Sequence, residues 1–460
     1  MKLFTNLVWG YLLKGAAALG VAALAGCLFL YVYKKYQIKT GMGKTLPKKK
    51  ILLFFLFVVY LFLLIYATFF ERSTAYGGYA NFHPFRAWRD AWNQFSSQDW
   101  LNVLLNVAMF LPLGFCIPLL FRRAQKAYIP LFAGFVVSFL IEFFQLVTGK
   151  GLCDVDDLLC NTAGACFGGC LALSVLAFKR KRRKKAALYL LPPVLFSLFV
   201  AGTFWTYAHQ TFGNLPAAPA YRVPVDQMDW IGYDPPDEEA GFAAVYCKRP
   251  VDQAACDRFA ENFFGQFKET IEEKTYYQQS AVYKTKSAVL HITFADGSYF
   301  YQLKELPEES CADCTEEQVR NRFGQMGIFI PEGAAFSKDE NGDALLTARM
   351  IEAEKGIYDG MLRCRLDQDD RVVELENFLI FRTTFSTVPI RSEAEAYEEL
   401  QKGNFRGPDW FPGEEPKQYR ITGSHIEYRT DTKGFYRPVY VFDALTEGAP
   451  IGGGLLVPAM

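Results

Sequence analysis

Histidine is scarce in this chain, with four among 460 residues, and none is paired at a metal-binding interval. The motif Cys-x-x-Cys stands alone at Cys311 and Cys314, which argues against a structural zinc site. No low-complexity tract, clean internal repeat or nucleic-acid motif occurs, so a nucleic-acid partner is not expected. Acidic residues are nearly missing from positions 1–208, which hold seven against 23 Lys and Arg, whereas the remainder holds 42 acids and 26 bases. A formal net charge of zero thus joins a +16 half to a −16 half, two halves suited to different solvents.

The basic half alternates apolar runs with clusters of Lys and Arg. Six runs approach the ~20 residues that cross ~30 Å of hydrocarbon: Leu7–Tyr33, Ile51–Phe70, Trp100–Phe121, Tyr128–Val147, Leu158–Phe178 and Ala186–Ala208. Basic clusters at 34–50, at Arg122, Arg123 and Lys126, and in KRKRRKK at 179–185 then share one face of the bilayer. The positive-inside rule makes that face cytoplasmic, with the N-terminus and the acidic C-terminal half extracytoplasmic. Most basic charge around the first run follows its apolar stretch, the reverse of a cleaved signal peptide. The expected fold is a membrane all-α region of about six transmembrane helices at 1–208, a proline-bearing linker at 209–239 and an α+β domain with antiparallel sheet at 240–460.

Patterning in the acidic half supports that class. Phe259, Phe263, Phe264 and Phe267 fall at helical spacing within Asp252–Lys268 and predict one buried face. Residues 287–303 alternate with period two around Asp296 and Gly297, a hairpin signature. Thr315 with Gln318 and Ser392 with Glu395 read as capping boxes. Further strands are expected at Ala344–Glu352, Gly360–Asp367, Val372–Phe385 and Arg437–Ala444, an order that suggests two helix-plus-sheet units. On an external domain, Cys311 with Cys314 and Cys247 with Cys256 are candidate disulfide pairs.

The segment GLCDVDDLLCNTAG at 151–164 sets three aspartates between two spans. The same topology brings Asn102 and Asn106 of the third span, Glu142 and Gln145 of the fourth, Asp154, Asp156 and Asp157 of the loop, and Asn161 of the fifth to one membrane surface. Glu142 is the sharpest of these, because a carboxylate in hydrocarbon costs on the order of 3 kcal/mol and needs a partner. Asn106, Asn161, Arg86 and Arg89 are candidate partners. Helix capping alone accounts for one or two of the aspartates, and Gly164 with Gly168 forms a GxxxG that lets helices approach.

The stretches NFHPF at 81–85, NVLLNVAMFLPLGF at 102–115, SFLIEFFQL at 138–146 and DVDDLLCNTAGACFGG at 154–169 resemble, in order and spacing across 51–178, the VanZ-like family of bacterial integral membrane proteins. Glu142, Gln145, Asp154, Asp156, Asp157 and Asn161 match that family's polar positions. Where the family carries an arginine shortly before its aspartates, this chain has Lys150 followed by Gly-Leu-Cys. The resemblance implies the bacterial cytoplasmic membrane and an association with teicoplanin-type glycopeptide resistance. The ending YRPVYVFDA at 436–444 is similar to those of extracytoplasmic regulatory domains.

Three functions follow as expectations. The first is an outward polar pocket, of Asn102, Asn106, Glu142, Gln145, Asp154, Asp156, Asp157, Asn161 and Arg86, recognising a lipid-linked or peptidoglycan-related group. In that reading the external domain meets wall material or a partner protein. The second is an intramembrane enzyme acting on a lipid-linked phosphate or glycan, with Glu142 or Asp157 as base and a divalent cation such as Mg²⁺ on Asp154, Asp156 and Asp157. The third, a small-solute transporter, fits less well because the inner halves of the spans are apolar.

Overall fold

The computed structural model describes Gly20, Tyr31, residues 47–69 and residues 80–460, apart from 224, 226–228, 232, 237–238, 249, 278, 306–313, 370, 409–417 and 447–448. The first expected span, Leu7–Tyr33, and Cys311 therefore lie outside the described residues, save for Gly20 and Tyr31. Contacts divide the chain into two units. One comprises Met1–Tyr233, Glu399–Gly423 and Phe442–Leu456; the other comprises Asp234–Glu398, Ser424–Val441 and Val457–Met460.

In the first unit, α1 (Lys48–Phe69), α2 (Arg86–Gln94), α3 (Ser97–Leu120), α4 (Tyr128–Thr148), α5 (Val155–Lys179) and α6 (Arg183–His209) follow one another. All but the short α2 are long and apolar enough to cross a membrane, giving five such helices among the described residues. Their ends are marked by local chemistry. Ser96 caps α3 by accepting from the Asp99 N–H at 3.0 Å, and Gly149 ends α4 in the left-handed conformation at φ 66°. Strand β1 (Ala80–Asn81) pairs in parallel with β2 (Cys153–Asp154), tying the approach to α2 to the approach to α5.

Helices α3 and α5 cross with backbones nearly touching. A Cβ at Gly164 would lie 2.0 Å from the Val107 carbonyl oxygen, one at Gly168 2.0 Å from that of Leu111, and one at Gly114 1.8 Å from that of Ala165. The expected GxxxG role is therefore met. Phe110, Leu113 and Ala165 are buried together with Leu64 of α1 and Ile141 of α4, so one apolar centre joins four helices. Tyr60 adds a polar tie, donating its hydroxyl to the Met109 carbonyl at 2.7 Å.

The second unit is built on antiparallel sheet. Its strands are β4 (Phe242–Cys247), β5 (Glu273–Tyr276), β6 (Ser280–Lys284), β7 (Ala288–Thr293), β8 (Tyr299–Leu303), β9 (Ala335–Lys338), β10 (Ala344–Ala353), β11 (Gly356–Leu366), β12 (Val372–Asn377) and β13 (Ile380–Pro389), after a short β3 (Asp229–Ile231) in the first unit. Hydrogen bonding runs β4-β13-β11-β12-β8-β7-β6-β5, with β10 joining β11 to β9. Helices α7 (Gln253–Gln266) and α8 (Glu316–Gln325) each precede a run of these strands, and α9 (Glu393–Gln401) begins in the second unit and ends in the first.

Most of the patterning is realised. Asp296 and Gly297, at φ 73°, turn the β7–β8 hairpin, and Thr315 and Gln318 form a reciprocal capping box on α8. Ser392 and Glu395 exchange the same pair of bonds at 3.2 and 2.8 Å. Three details differ. The single strand expected over Val372–Phe385 is broken, because the Asn377 side chain accepts from the Leu379 N–H at 3.0 Å and turns the chain. Phe259 is 39% exposed while Phe263 and Phe264 are buried: its ring meets Tyr299 of β8 at 5.0 Å but also lines an open cleft. Cys247 and Cys256 remain thiols: Cys256 packs into the core, and Cys247 lies against the Thr383 hydroxyl at 3.4 Å.

Candidate functional site

The polar residues gather where the C-terminal ends of α1 and α4 meet the N-terminal ends of α3 and α5. Each aspartate of the 154–157 run has a different task. Asp154 caps its own helix by accepting from the Asp156 N–H at 2.8 Å, and it takes both 3.2 Å bonds from the Asn81 carboxamide. Asp156, only 1% exposed, accepts from the N–H groups of Phe85, at the cap of α2, at 2.5 Å and of Ala87, in its first turn, at 2.7 Å. Asp157 accepts from the Asn106 carboxamide of α3. The sequence DVDD is in this sense a knot that ties three segments to the start of α5.

Glu142, 5% exposed, faces the knot from α4 and accepts from the Asp154 N–H at 2.9 Å. One helical step to either side on the same face lie Ser138 and Gln145. Ser138 accepts from the Asn161 carboxamide at 3.0 Å, and Gln145 donates to the Thr68 carbonyl of α1 at 3.2 Å. The side-chain oxygens of Gln145 and Asn161 are buried without a hydrogen-bond partner among the described residues.

Burial raises the Asp154 carboxyl, as does the neighbouring Asp156 charge, while the Asp156 N–H, the Asn81 side chain and the more distant Arg86 charge act in the opposite direction. The adjacent Cys153 thiol is also pushed up, by burial first and then by the charges of Glu142, Asp154 and Asp157, so it is a poor nucleophile.

Arg86 stands on α2. It pairs loosely with Asp90 at 3.7 Å and lies over the Tyr221 ring at 4.9 Å, while Asp90 also meets Arg406 at 3.3 Å. Asn102 is exposed and accepts from Gln98 at 3.1 Å, one turn away from Asn106 and on the outer side of α3. Asn106, Glu142, Gln145, Asp154, Asp156, Asp157 and Asn161 thus converge, whereas Asn102 and Arg86 take other partners. Because the three aspartates point to different segments, no group of three His, Cys, Asp or Glu side chains among the described residues could hold a metal ion.

Sequence reasoning did not single out Asn81 or Ser138. Both are buried and bonded directly to the site, and both lie within the stretches NFHPF and SFLIEFFQL. Asn81 and Ser138 are small polar residues with no marking periodicity, so only their pairing across the fold reveals them.

A bundle of long apolar helices closed at one end by an interlocked polar knot, followed by an antiparallel sheet, defines a multi-pass membrane protein. Residues 57–178, which hold every member of the knot, match the VanZ/LLP1 family model, and this region is VanZ-like. Such a region supports a protein of the cell envelope. No curated protein matches the chain. Two solved structures are similar to it: the Bacillus megaterium YpeB C-terminal domain, at 11% identity and TM-score 0.23, covering 46% of this chain and 99% of that one; and an uncharacterized protein from Eubacterium rectale, at 12% identity and TM-score 0.21, covering 54% and 90%. At these scores neither carries an argument.

Proposed function

We propose that the polar knot lies at the outer surface of a bacterial cytoplasmic membrane and recognises a lipid-linked or peptidoglycan-related group, with an effect on susceptibility to teicoplanin-type glycopeptides. In this reading the domain at 240–460 is extracytoplasmic and meets wall material or a partner protein. The observation that carries the reading is the pair of buried acceptors, Gln145 Oε1 and Asn161 Oδ1, that have no hydrogen-bond partner among the described residues, in the seam that also holds Glu142. An acceptor left in this state costs about 1–3 kcal/mol, a deficit that an amide or hydroxyl donor would remove. Peptide and sugar groups of envelope precursors carry such donors.

The test is to express Glu142→Gln and Asp157→Asn in a susceptible bacterium beside the unaltered chain, measuring teicoplanin susceptibility and membrane insertion. The expected result is loss of the susceptibility change in both variants with insertion retained. An unaltered change in both, with normal insertion, overturns the proposal and leaves the knot as architecture.

A further inference from the structure

A groove separate from the polar knot runs along α6. At the α2 end it has a volume of about 570 Å³ and is walled by Trp88, Trp92, Trp100, Phe199 and Trp205. Beyond it, a second stretch of about 480 Å³ is walled by Leu104, Val107, Leu111, Phe167 and Leu190. Trp100 and Leu104 are successive turns of α3, and Leu198 and Phe199 are adjacent on α6, so the two hollows succeed one another along the same pair of helices. The Phe196 ring joins them, 6.0 Å from Trp88 and 5.0 Å from Phe167.

We propose that this groove binds one anionic phospholipid, with its phosphate at Arg89 and an acyl chain laid between α3 and α6. Charge complementarity argues for the headgroup: Arg89 lines the mouth and has no ion-pair partner among the described residues. Four of the seven tryptophans of the chain line this hollow, and indole rings favour the level of lipid headgroups. Trp100 is 5% exposed, and its indole N–H finds no acceptor among the described residues; a phosphate or ester oxygen entering the groove supplies one. The inner stretch is almost wholly aliphatic and aromatic. From Leu190 to Thr206 the groove follows α6 for about 24 Å, more than the ~15 Å of one hydrocarbon leaflet, which accommodates one extended chain lengthwise.

This site does not rest on ligand recognition by the knot, and its test reads lipid rather than susceptibility. The full chain, purified in mild detergent, is titrated with dioleoylphosphatidylglycerol or dioleoylphosphatidylcholine, and retained lipid is counted by native mass spectrometry. The native chain is expected to hold one phosphatidylglycerol at concentrations where phosphatidylcholine is lost. Arg89→Gln should weaken phosphatidylglycerol retention about fivefold, the effect of removing one interfacial cation. Ala108→Phe, which fills the inner stretch, should abolish retention of both lipids while far-UV circular dichroism is unchanged. Equal retention of the two lipids by the native chain, retention indifferent to both substitutions, or a dimer formed through α6 in place of bound lipid would overturn the proposal.

Discussion

Ala87 donates its backbone N–H to Asp156 Oδ2 at 2.7 Å although 69 positions separate the two residues. The second oxygen of the same carboxylate holds the N–H of Phe85, a bulky residue in left-handed backbone at φ 65°. One acid at the start of α5 therefore caps α2 and stabilises a conformation that L residues avoid.

Removing that acid should loosen α2 before anything else. Asp156→Asn keeps one good acceptor and leaves one buried amide poorly satisfied, at about 1–3 kcal/mol; Asp156→Ala leaves two and should cost more. Hydrogen exchange is the direct readout: amides of residues 85–94 should lose protection while those in the middle of α3 keep it. Unchanged protection over α2 in the alanine variant would show that the cap contributes nothing.

The α3–α5 crossing gives a second expectation. Gly164→Leu or Gly168→Val must push a side chain into a carbonyl that already lies about 2.0 Å from any added Cβ, so the helices must separate. A loss of several kcal/mol is expected, in keeping with the upper range for overpacked interiors. Gly202→Ala on α6, where an added Cβ meets nothing within 4 Å, should leave thermal unfolding in detergent within about 0.5 kcal/mol of the native chain. Comparable melting of all three variants would contradict the close crossing.

In the sheet, Arg363 reaches Asp339 at 3.4 Å, Glu374 at 3.2 Å and Glu376 at 2.9 Å. Burial raises the Asp339 carboxyl, but the N–H groups of Asp343 and Asn341 and the Arg363 guanidinium outweigh it and hold the group below its ordinary value. A carboxylate depressed in this way stabilises the fold above the ordinary value of ~3.9 and loses that contribution as pH falls through its own lower value. Arg363→Gln should therefore be less stable than the native chain at pH 7, with the difference shrinking below about pH 4. A difference that stays constant from pH 7 to pH 3, followed by hydrogen exchange of the β11 and β12 amides during urea unfolding, would count against the linkage.

Much of the site was legible because topology alone aligns helix ends. Once α3, α4 and α5 alternate in direction, Asn106, Glu142 and Asp157 must share a membrane face whatever their separation in sequence. Asn102 shows where that reasoning stops: it obeys the same i, i+4 relation to Asn106, but a helix face is wider than a contact, and rotation of α3 leaves it exposed. Phe259 fails for a related reason. Helical spacing identifies an apolar stripe, but packing in the folded unit decides which members of the stripe are covered.

By itself the sequence determined the solvent of each half, the long apolar helices and the alternating strands, because hydropathy and periodicity are summed over many residues and tolerate local error. Only the tertiary structure decided that the three aspartates serve three different segments and that Asn81 and Ser138 belong with them. Hydrogen bonds depend on ångström distances and on side-chain direction, and neither is encoded until distant parts of the chain are brought together.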